Sequence, residues 1–157
     1  MKNRSPATMA REARFRRMAM TDGGVAKAFA NPAVLEAAER RWNALQDVAA
    51  EDLARRMHLL EQSFTKGAQA TYAHAHDIRG LAGGFGFHVM GELATLTCNY
   101  IDALGHNKPI HREVIDNLIA GMRQALASPQ DPTLQLISAG AAKAVSKTLA
   151  REGLTLR

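Results

Sequence analysis

The chain has 157 residues, 46% of them hydrophobic, enough for one compact domain with a substantial core. Its net charge of +5 resides in residues 1–20, where Lys2, Arg4, Arg11, Arg14, Arg16 and Arg17 face Glu12 alone; the remainder is neutral, so no basic face for nucleic acid is expected. Cys98 is the only cysteine, which excludes an internal disulfide and a cysteine-built zinc site, and no apolar run approaches the ~20 residues of a membrane span.

Residues 1–21 read as a basic arm with no signal-peptide core, which points to a cytoplasmic protein. Residues 22–30 can form a short helix that covers one end of the domain through Val25, Ala28 and Phe29. Asn31-Pro32 is then a helix start, because Asn caps free backbone amides and Pro fits the first helical position. Leu35, Ala38, Trp42, Leu45, Ala49, Leu53, Met57, Leu60 and Phe64 follow at spacings of three or four up to Lys66-Gly67. The stretch reads as one long helix over 32–66, or as two if the acidic pair Glu51-Asp52 starts a second.

The next helix is expected from about Ala68 to Gly83, ended by three glycines within Gly83-Gly84-Phe85-Gly86. A third follows, with Val89 or Met90, Leu93, Leu96 or Thr97, Tyr100, Ile101 and Leu104 on its apolar side, and it stops at Gly105-His106-Asn107-Lys108-Pro109. Ile110, Val114, Ile115, Leu118, Met122, Ala125 and Leu126 mark a fourth that ends at Ser128-Pro129. Asp131-Pro132 repeats the cap-plus-proline signal and opens a last stripe of Leu134, Ile137, Ala141, Val145 and Leu149, with Gly153 as a stop. No strand-like alternation interrupts this series. The expected fold is all-α: an antiparallel four-helix bundle over 22–130 with a short N-terminal capping segment and an additional C-terminal helix over 131–157.

Within the second helix, Thr71, Ala75, Ile78, Ala82 and Phe85 form one apolar stripe, and His76 lies on the other side. Its helical neighbours are Tyr72, Ala73, Arg79, Gly80 and Gly83, so the imidazole stands beside one cation and a surface with few side chains, open to a large partner. His74 is rotated by ~200° onto the flank of the apolar stripe and reads as a packing residue. The two rings point apart, so the pair is no zinc motif, and no metal site is expected. His88, His106 and His111 fall at helix ends or connectors, where capping or exposure is the default, and the methionines and Trp42 read as core. Cys98, mid-helix without an evident cationic partner, reads as inert packing.

The segment His76-Asp77-Ile78-Arg79-Gly80, continued by Ala82, Phe85 and Gly86, resembles the histidine-containing phosphotransfer (HPt) domains of two-component phosphorelays. Leu81 departs from the small residue usual there; it lies nearer the buried stripe than the His76 face. The string also resembles the phosphoacceptor box of sensor kinases, but a proline is usual there at the position of Leu81, and no ATP-binding domain follows the bundle. The HPt resemblance implies reversible phosphoryl transfer between receiver-domain aspartates and His76, with no autonomous kinase activity. It makes His76 the nucleophile, for a neutral imidazole offers a ring lone pair. Arg79 would offset the phosphoryl charge, and Gln69, Tyr72, Ala73, Gly80 and Gly83 would meet the partner, a response-regulator receiver or a hybrid sensor kinase. No cofactor is expected on this chain, because Mg2+ belongs to the acidic pocket of the receiver. A monomer is expected, and the competing reading is a helical adaptor that binds a signalling partner without chemistry.

Overall fold

The computed structural model describes residues 31–105 and 108–156. The basic arm, the expected capping helix of 22–30 and His106 lie outside the described residues. Those described are all-helical, in five helices: α1 (Pro32–Ser63), α2 (Ala68–Ala82), α3 (His88–Leu104), α4 (Arg112–Ala127) and α5 (Leu134–Arg151). One-turn 3-10 segments, Phe64–Lys66 and Gly83–Phe85, follow α1 and α2.

The chain divides into two units between Ala44 and Leu45, inside α1. In the first, the amide of Ala33 donates to Asn31 Oδ1 at 3.0 Å, the cap expected from the sequence. Arg40 pairs with Glu36 one turn away. Leu35 and Trp42 are 40% and 45% exposed, and Ala38 is exposed as well, so this part of the expected core stripe is corrected. Burial along α1 begins only at Ala49, within the second unit. No break occurs at Glu51-Asp52; Asp52 instead pairs with Arg55 and Arg56 within the helix.

In the second unit α1 is buried through Ala49, Leu53, Met57, Leu60 and Ser63, while Leu45, also expected in the core, is 51% exposed. Contacts between successive helices reverse order along the sequence. Ser63 meets Thr71, Arg56 meets Asp77 and Gln46 meets Phe85, so α1 and α2 run antiparallel. Gly91 abuts Gly83 and Ala82, turning α3 back along α2, and Leu93 and Tyr100 of α3 meet Gly121 of α4 and His111 at its N-cap. Ile137 of α5 meets Gly121, and Glu152, just past the helix, meets His111, so α5 runs back along α4 and parallel to α3. Each reversal joins one apolar stripe to a common core that includes Ile78, Met90, Leu93, Ile101, Ile115, Leu118 and Met122.

Few polar groups enter that core, and they are bonded. The Ser63 hydroxyl donates to the Leu60 carbonyl, that of Thr71 to the Gly67 carbonyl, and that of Thr97 to the Leu93 carbonyl. The Tyr100 hydroxyl sits 2.6 Å from His111 Nδ1 and accepts the His111 backbone N–H at 3.0 Å, while His111 Nε2 lies 3.4 Å from Glu152. His111 stands at a helix end, as read from the sequence, and is a tertiary partner as well. Burial of Leu134, Val145 and Leu149 fixes α5 to the rest of the unit.

Candidate functional site

The stripe Thr71, Ala75, Ile78 and Ala82 is fully buried, which orients α2 and carries His76 to the solvent side. His74 is half-buried on the flank. Tyr72 lies one turn before His76 with its ring nearly parallel to the imidazole, centroids 6.2 Å apart and planes 27° apart.

The other expected docking residues share the surface: Gln69, Ala73, Gly80 and Gly83 are exposed. A Cβ placed on Gly80 or Gly83 would meet no heavy atom within 4 Å. Packing inside the chain does not require glycine at either position, and what glycine leaves is backbone bare to solvent. Gly86 is different. Its φ of +87° is left-handed, and a Cβ there would stand 3.0 Å from the Gln46 side chain, whose amide donates to the Phe85 carbonyl at 3.0 Å. The α2–α3 turn is thus latched to α1.

Asp77 follows His76 in sequence, and its carboxylate would repel an incoming phosphoryl group. It is turned toward α1, where Arg56 stands 3.3 Å away. Arg56 also donates to Asp52 at 2.7 Å, and the guanidinium bonded there holds the Asp52 carboxyl below its ordinary range. Arg56 was not among the residues picked from the sequence. Its bond to Asp52 has a readable four-residue spacing, but its contact with Asp77 exists only once α1 packs on α2.

Arg79 is half-buried and lies toward α3, where its charge opposes the upward pull of burial on the Cys98 thiol. Burial wins and pushes that thiol up to about 11, as befits an unreactive packing residue. Arg79 also borders a cleft of about 580 Å3 together with Gly83 just past α2, His88, Glu92, Thr95, Leu96 and Asn99 of α3, and Ser138 and Ala142 of α5. The Ser138 hydroxyl donates to Glu92 at 2.9 Å across this cleft. Nothing in the sequence ties α5 to the His76 neighbourhood. Among the described residues no group of three or more His, Cys, Asp or Glu is placed to hold a metal ion.

No family model, curated protein or solved structure matches this chain. Among the described residues, no helix is long and apolar enough to cross a membrane.

Proposed function

We propose that the protein is a cytoplasmic histidine phosphotransfer carrier that exchanges a phosphoryl group between His76 and receiver-domain aspartates in a two-component phosphorelay. The observation that carries the reading is the placement of His76: exposed, opposite a buried stripe, beside glycines whose missing side chains leave open space. A histidine kept for packing or capping would not need such a surface.

In the forward step a ring nitrogen of His76 attacks the phosphorus of an aspartyl phosphate. The bond from phosphorus to the carboxylate oxygen breaks as the N–P bond forms, and the aspartate leaves as a free carboxylate. Arg79 supplies positive charge near the group in transfer, an electrostatic role because guanidinium keeps its proton. Arg56 removes the opposing influence of Asp77 by holding it against α1. Mg2+ is carried by the receiver, and the chain neither binds nor hydrolyses ATP in this reading.

The test is incubation with phosphorylated receiver domains. The expected label on wild type is lost in acid, survives base and is missing from His76→Gln. A label that persists in His76→Gln, or none with any receiver of the source organism, overturns the reading. The second result favours a non-catalytic adaptor, for which the exposed Leu45 and Val48 beside a groove lined by Leu81 and Phe85 offer an apolar docking strip.

A further inference from the structure

We infer that α5 forms one wall of the receiver-docking surface and selects which receiver reaches His76. The inference rests on the carrier reading above and adds to it a specificity element outside the four helices that a bundle requires.

Its first support is continuity along α2. Seven residues turn a helix by 700°, so Gly83 points within about 20° of His76 and lies ~10 Å further along the axis. Arg79, one turn from His76, is on the same side. Both border the cleft whose floor is the outer face of α3. Because Gly83 abuts Gly91 and the helices run antiparallel, Asn99 on that floor stands about level with His76. The cleft therefore begins beside the imidazole and runs along α3 toward the Gly83–Phe85 turn.

The second support is the opposite wall. Ser138 and Ala142 of α5 close the cleft, α5 is held there by its buried Leu134, Val145 and Leu149, and the Ser138–Glu92 bond is an exposed contact across it. A receiver that seats its phosphorylated aspartate over His76 covers a patch of about 800 Å2 on each partner if the interface is of ordinary size. A patch of that size, spread from His76 over the bare backbone at Gly80 and Gly83, reaches the cleft and meets α5. Its occupant is thus the same receiver, through a surface element beside its active site. Leu96, Gly91 and Ala142 take apolar contact, while Arg79 and Glu92 present opposite charges that reject a partner with the wrong pattern.

The decisive variants are Ala142→Trp, which fills the cleft from the α5 side, and Glu92→Arg, an exposed charge reversal on the floor. Each is compared with wild type in two assays: transfer from a panel of phosphorylated receivers, and phosphorylation by phosphoramidate, a small donor that needs no docking surface and releases ammonia as His76 takes its phosphoryl group. Circular dichroism checks helix content. The expected result is a loss of about tenfold or more in transfer from the cognate receiver, with a changed ranking across the panel and an unchanged phosphoramidate rate. Equal transfer by wild type and both variants overturns the α5 wall and leaves the carrier reading intact. If Ala142→Trp loses helix content, Glu92→Arg alone decides. No transfer to wild type from any receiver overturns both.

Discussion

The Arg56 guanidinium stands 3.3 Å from the Asp77 carboxylate, joining the residue beside His76 to the preceding helix. Asp77 is thereby paired with a cation of another helix. The side chain next to the exposed histidine is fixed by α1, although both residues belong to α2 in sequence.

Arg56→Ala releases that carboxylate. The two side chains are 34% and 52% exposed, so stability should change by no more than about 1 kcal/mol. Transfer to His76 should slow several-fold, and the double variant Arg56→Ala/Asp77→Asn should recover most of the rate. Transfer kinetics with one receiver measure this, and a double variant as slow as the single one would show that Arg56 acts some other way.

Gly80→Ala separates folding from docking. Position 80 is helical and a methyl there has nothing within 4 Å, so the change should stabilise the protein by about 0.5–1 kcal/mol in a denaturant titration. Gly80→Leu should fold equally well yet block receiver transfer. A Gly80→Leu protein that accepts phosphate at the wild-type rate would mean that no partner comes close to this backbone.

Gly121 on α4 tests how α5 is seated. A Cβ there would lie 3.0 Å from Leu93 Cδ1 and 3.3 Å from Ile137 Cγ2, so three helices meet where it has no side chain. Gly121→Val should cost about 2 kcal/mol through overpacking and lower the thermal midpoint. A midpoint equal to wild type would indicate that Leu93 and Ile137 repack freely.

Alkaline pH probes the core. Burial raises the Cys98 thiol from 9.0 to about 11 and raises Tyr100 as well. Above pH 9 the unfolded chain releases the thiol proton while the folded chain keeps it, so stability present below about pH 9 is lost progressively as pH rises to about 11. Denaturant midpoints across that interval should fall more steeply for wild type than for Cys98→Ala. Parallel slopes would show that the thiol does not contribute.

The second half of the fold was legible because helix–helix packing leaves a local record: apolar residues at three and four, proline after a capping side chain, glycine at the stops. The position of His76 followed from the same angles, as did the half-burial of His74. Leu35, Trp42 and Leu45 show where that record misleads. Their spacing continues the stripe of Ala49 and Leu53, but spacing cannot tell which turns of a stripe are buried. Arg56, Glu92, Ser138 and His111 act through partners 11 to 46 residues away, and only the packing of one helix on another brings those partners together.

The Tyr100 hydroxyl closes the α3–α4 connection by gripping both the backbone and the ring of His111. That connection is thus fastened at its end by a side chain reaching out of α3, and at its start the Lys108 N–H donates to the Gly105 carbonyl at 3.0 Å. Extra residues next to exposed Lys108 should be tolerated, since doubling a flexible loop costs only about 0.6 kcal/mol. An affinity tag or a fluorescent peptide could be spliced there, at the end of α3 that Tyr100 fastens.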